Sequence, residues 1–102
     1  MQVKPRMKIE VPEGYEALGK AFELAIKQAA EGKGKERHAC KLPFHQQQSP
    51  QITKRQGVGY PCGQAEKKLG EAPRLDKAGQ IEEILGAMVY CGMAIIDLEG
   101  LG

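Results

Sequence analysis

Between Glu83 and Asp97 the chain holds thirteen consecutive uncharged residues, Ile84 to Ile96, and this run limits the available folds more than any other feature. As a helix it spans only about 20 Å, against about 30 Å for the hydrocarbon core of a bilayer, so it reads as a buried helix and no membrane association is expected. Asp76 is placed to cap that helix, which should reach about Glu99. Its broad apolar surface comprises Ile81, Ile84, Leu85, Met88, Ile95 and Ile96. Gly86, Ala87, Gly92 and Ala94 lie within it and allow another helix to come close. Two or three helices in a monomer cannot cover a helix that is apolar most of the way round. Either it is the central helix of the fold or it meets a copy of itself, and a homo-oligomer formed through residues 81–96 is the expectation.

The 102 residues make one domain by size, 1–102, able to bury roughly two-thirds of the surface of the unfolded chain. Aromatic residues are only 5% and Trp is absent, so the core must be aliphatic and thin. A second helix is expected from Pro12–Glu13 to about Glu31, with Tyr15, Leu18, Phe22, Ala25, Ile26 and Ala29 on one face. Gly32 and Gly34 suit its end. Another begins near Pro61 and runs to about Ala72, with Ala65, Leu69 and Ala72 on one side, until Pro73 ends it. Residues 1–11 alternate Met7, Ile9 and Val11 with charged neighbours and suggest a short strand or extended arm. Residues 32–60 lack sustained periodicity and describe a long basic loop, with room for one helical turn between Ser49 and Gln56. The fold class is therefore mainly α: about three helices in a small bundle, a long basic loop and an N-terminal arm.

The net charge is only +2, which argues against a nucleic-acid partner. The charge is uneven, however: residues 33–55 hold six Lys or Arg, both His and a single acid, Glu36. Three widely spaced cysteines (Cys40, Cys62 and Cys91) do not make a disulfide framework and fit a reducing cytoplasm. No apolar run follows the basic residues of the N-terminus, so no signal peptide is expected there.

Two segments suit an anion. In Gly32-Lys33-Gly34-Lys35-Glu36-Arg37-His38, two glycines leave backbone N–H groups open while Lys33, Lys35, Arg37 and His38 add donors. The plain alternative is a helix C-terminus decorated with cations that complement its dipole. Gly57-Val58-Gly59-Tyr60-Pro61-Cys62-Gly63-Gln64 enters a helix whose first N–H groups are free, with Arg55 and Lys67 near and Tyr60 able to stack on a ring. Its plain alternative is an ordinary loop-to-helix connection with Pro in the first turn. Neither segment has the glycine and Lys-Ser/Thr spacing of a P-loop. His38, Cys40 and His45 with Cys62 or Cys91 lack the paired spacing of a zinc site, so neither metal nor cofactor is expected. A Cys40 nucleophile beside His38 or His45 would have no recognisable orienting acid. Glu82, Glu83, Asp97 and Glu99 would be the acids of a small magnesium-dependent nucleotide hydrolase, but the first two point apart and the last two sit at a helix end.

The run Gly32–Ala39 followed by Pro43-Phe44, then Gly63-Gln64-Ala65 with Lys67-Lys68 and Glu71-Ala72, then Leu85-Gly86-Ala87-Met88-Val89-Tyr90, resembles small uncharacterised bacteriophage-encoded helical proteins. The resemblance covers most of the chain from residue 32 onward. It implies a viral origin and action in the cytoplasm of an infected bacterium, as an inhibitor or as an oligomeric sponge for host immune nucleotide signals. It carries over no functional residues. The function expected is non-catalytic binding of a phosphorylated nucleotide-like small molecule. The contact residues would be Lys33, Lys35, Arg37, His38, Arg55, Gly57, Gly59, Tyr60, Gly63, Gln64 and Lys67. The rival expectation is an inhibitor that binds a host enzyme through its basic loop.

Overall fold

The computed structural model describes residues 10–31 and 42–101. Four helices account for most of them: α1 (Glu16–Glu31), α2 (Gln48–Gln56), α3 (Gly59–Glu71) and α4 (Lys77–Glu99). Short 3-10 turns at Phe44–Gln46 and Ala72–Arg74 precede α2 and α4. There is no strand among the described residues. The fold is mainly α, a small helical bundle. Most of the expected N-terminal arm and the segment from Gly32 to Lys41 lie outside the described residues.

α4 is the central helix, packed most extensively on α3, then on α1 and α2. Its boundaries follow from local chemistry. Asp76 Oδ1 accepts a hydrogen bond from the Gly79 N–H at 2.8 Å, satisfying one of the orphan donors of the first turn. At the far end Gly100 adopts φ 65°, and the N–H groups of Gly100 and Leu101 donate to Asp97 O and Ile96 O. Those two bonds make a Schellman motif.

α1 begins at Glu16, later than its periodicity suggests. Gly14 sits at φ 90°, closing a turn in which the Tyr15 N–H donates to Pro12 O at 3.0 Å. A helix cannot pass through that conformation, and the Glu16 carboxylate takes the Gly14 N–H at 2.8 Å. Val11 then folds back against Gly19, where an added Cβ would stand 3.0 Å from its side chain.

The second half of the expected loop is helical. Four helices therefore replace about three, and α2 exceeds the single turn its sequence suggests. Pro50 falls in the first turn of α2, where its missing N–H costs no hydrogen bond. Gln47 and Gln51 side-chain amides tie the approach by donating to Leu42 O and His45 O. Thr53 is fully buried, its hydroxyl donating to Ser49 O at 3.0 Å. The segment is polar, so its helicity rests on this docking rather than on an apolar stripe of its own.

The interior is built from small residues. Ala25, Ala65, Ala72, Ala87 and Ala94 are buried together with Met93. α3 and α4 form an antiparallel hairpin in which Pro61, Ala65, Lys68 and Ala72 face Glu83, Ala87, Tyr90 and Ala94, each set at helical i, i+4, i+7, i+11 spacing. The close approach that the small residues of α4 permit is thus made first within the chain, by α3. Many large aliphatic side chains lie outside, while Ile52, Leu85, Val89 and Ile96 are half-buried. Leu18, Phe22 and Ile26 of α1 remain 54%, 50% and 61% exposed, because α1 docks on α4 through Ala25 and through Gln28, whose amide donates to Glu82 O at 3.0 Å.

Candidate functional site

Lys33, Lys35, Arg37 and His38 lie outside the described residues, so the structure speaks to one half of the expected anion site. The other half sits where α2 turns into α3. Gly57 ends α2 at φ 86°, ψ −178°, its N–H donating to Thr53 O at 2.7 Å. That backbone region is essentially restricted to glycine. α3 starts two residues later without a side-chain cap on its first turn, and Arg55 and Gly59 are exposed beside it. The helix start is less open than the glycine-rich segment suggests: the Tyr60 N–H donates to Gly57 O at 3.3 Å, Pro61 has no N–H, and the Cys62 N–H donates to Val58 O at 3.0 Å.

The remaining residues of that set are divided. Tyr60 is engaged, its hydroxyl 3.2 Å from Ser49 Oγ and its ring edge-on to Tyr90 with centroids 6.2 Å apart. Gly63 and Lys67 are exposed and share a stripe on the outer side of α3. Lys67 stands eight residues after Gly59, about 12 Å further along the axis. Gln64 is half-buried between the two faces. The corner therefore gathers Arg55, Gly57, Gly59 and Tyr60, while Lys67 sits apart from them.

The neighbouring lysine is the one drawn inward. Lys68 lays its stem across Gly86, where an added Cβ would meet Lys68 Cδ at 3.0 Å. Its ammonium lies 3.6 Å from Glu83 Oε2 and 5.9 Å from the centroid of Tyr90. That geometry combines a partly exposed ion pair with a cation–π contact. It borders a groove of 610 Å³ that runs between α1 and α2 over α4. Gln28, Gln47, Gln48, Ser49, Glu82 and Glu83 supply its polar lining, and Phe44, Ile81, Val89 and Met93 its apolar part. Sequence reasoning missed this groove because its residues come from four separate elements and form no motif. The spacing of Lys68 with Pro61, Ala65 and Ala72 was the one available signal that it faces inward.

Among the described residues no group of three or more His, Cys, Asp or Glu is placed to hold an ion, and Cys62 and Cys91 are free and exposed. No helix among them is long and apolar enough to cross a membrane.

The most pronounced surface feature is apolar. Besides the α1 stripe, α4 exposes Ile84, Ile95 and Leu98 to 43%, 55% and 72%, with Cys91 exposed between them. Contiguous apolar surface of this kind marks contact with other proteins more often than isolated exposed side chains do.

No family model matches the chain, and no curated protein or solved structure matches it. The resemblance to phage-encoded proteins gains no support from these comparisons.

Proposed function

We propose that this protein is a non-catalytic binding protein that works through protein–protein contacts made by its outward apolar helix faces. The observation that carries the reading is the distribution of size across the fold: alanines make up most of the fully buried apolar residues, with Met93, while Leu18, Phe22, Ile26, Ile84, Ile95 and Leu98 stand outside. Burying a large aliphatic or aromatic side chain contributes about 1.5–3 kcal/mol, so such stripes gain most by meeting another apolar surface. The α4 face over residues 81–96 makes a homo-oligomer, and the α1 face is presented to a partner such as a host enzyme. Action is in the cytoplasm.

A Phe22→Glu variant tests this. It should keep its helical circular dichroism and lose a stoichiometric protein partner that the unaltered chain retains from bacterial lysate. Equal retention by both would remove the α1 face from the mechanism.

A second reading has a specific observation in its favour, the uncapped start of α3 with exposed Arg55 beside Gly57 and Gly59. In that reading the oligomer sequesters a phosphorylated nucleotide-like molecule. Lys33, Lys35, Arg37 and His38 would complete the site from the neighbouring segment. Replacing Arg55 by Ala should weaken binding of a nucleoside polyphosphate, measured by calorimetry, by about tenfold or more. Unchanged affinity would dismiss this site.

A further inference from the structure

The exposed face of α4 is more regular than a random apolar patch. Ile81, Ile84, Met88, Cys91, Ile95 and Leu98 follow one another at intervals of three, four, three, four and three residues. That is the a/d spacing of a coiled-coil seam, sustained over about 25 Å of helix. The core of the fold uses a different set on the same helix: Glu83, Ala87, Tyr90 and Ala94 meet α3. The seam lies roughly 100° round α4 from the set that meets α3, and it stays largely exposed with the hairpin intact, although Ile81 at its N-terminal end also borders the groove beside α1. Ile81, Ile84, Cys91, Ile95 and Leu98 are all exposed, and Met88 is half-buried.

The geometry points to a second copy of this chain as the occupant, its α4 running antiparallel across a two-fold axis between Met88 and Cys91. This deepens the reading of the apolar faces as protein contacts, and it rests on that reading. The spacing admits a second copy, and the charges at the seam's ends favour the antiparallel direction. The seam is self-complementary when reversed: Ile81 opposes Leu98 of the other copy, Ile84 opposes Ile95, and Met88 opposes Cys91. Each pair joins an a position to a d position, as antiparallel helices require, and an isologous two-fold contact needs this self-complementarity. The charges at the ends agree. Lys77 lies one turn before the seam and Glu99 one residue after it, both exposed. Reversal brings Lys77 of one copy toward Glu99 of the other at both ends and opposes the two helix dipoles head to tail. Parallel pairing would instead set Lys77 against Lys77 and Glu99 against Glu99, which is unfavourable.

The experiment uses the full chain. Sedimentation velocity should report a species of twice the 11.1 kDa chain mass. Ile95→Glu should weaken that dimer by about 100-fold or more while leaving helical circular dichroism unchanged, since a carboxylate in the seam meets apolar residues twice. Direction is read by cross-linking, in a background carrying Cys40→Ala, Cys62→Ala and Cys91→Ala. Ile84→Cys together with Ile95→Cys should form a covalent dimer on mild oxidation, and Ile84→Cys alone should not. Cross-linking of the single variant would show parallel helices and overturn the inference. A dimer that survives Ile95→Glu but is lost in Phe22→Glu would overturn the α4 seam and leave the reading of apolar contact faces standing. A monomer throughout would remove the seam, and failure to bind any protein through either face would remove the wider reading too.

Discussion

Gly57 and Gly63 are six residues apart in one glycine-rich segment, yet the structure assigns their replacement by alanine opposite signs. Gly57 holds φ 86° and ψ −178°, and an added Cβ there would meet nothing within 4 Å. The cost of Gly57→Ala is therefore backbone strain alone, about 1–3 kcal/mol for a residue forced into that region. Gly63 lies inside α3, exposed, again with nothing within 4 Å of a new Cβ. Gly63→Ala should stabilise by about 0.5–1 kcal/mol, because alanine loses less conformational entropy in a helix. The two variants should thus differ by roughly 1.5–4 kcal/mol, a separation on the order of 10 °C in melting temperature for a domain this size. Urea unfolding followed by circular dichroism at 222 nm checks this, with midpoints about 1 M or more apart. Midpoints that coincide would refute the α2–α3 turn as described, and with it the exposed start of α3.

Other substitutions probe the remaining elements. Asp76→Ala should destabilise by about 1 kcal/mol through loss of the Gly79 hydrogen bond, whereas Asp76→Asn should nearly preserve stability; thermal melts distinguish them. Ala25→Leu should cost about 1–3 kcal/mol, since Ala25 is 4% exposed where α1 meets α4 and a larger side chain must push the helices apart. Phe22→Ala, three residues away at a half-exposed site, should cost about 1 kcal/mol or less when measured on the monomer. If Phe22→Ala proves the more damaging of the two, the packing of α1 described above is wrong.

Much of the fold is legible in the residues themselves, and the reason is local. The extent of α4 follows from Asp76 at one end and Gly100 at the other, groups that act within a turn of where they stand. The end of α3 follows from Pro73. α1 is announced by its apolar period, although Gly14 delays its start through a turn whose hydrogen bonds are also local. α2 is different. It is polar, and its helix depends on Thr53 and its neighbours being covered by α3 and α4, residues distant in sequence.

The candidate site divides along the same line. A glycine-rich entry to a helix with Arg55 beside it is visible in the chain. The engagement of Tyr60 with Ser49 and Tyr90, and the inward turn of Lys68 rather than Lys67, depend on how three helices cross. By itself the sequence determined where helices start and stop and that α4 must be shielded nearly all round, because capping groups and hydrophobic period act over a few residues. Only the tertiary structure decided which side of α4 the chain covers for itself. Alanines allow α3 to approach closely on one side, and the Ile81–Leu98 seam is left for something else to cover.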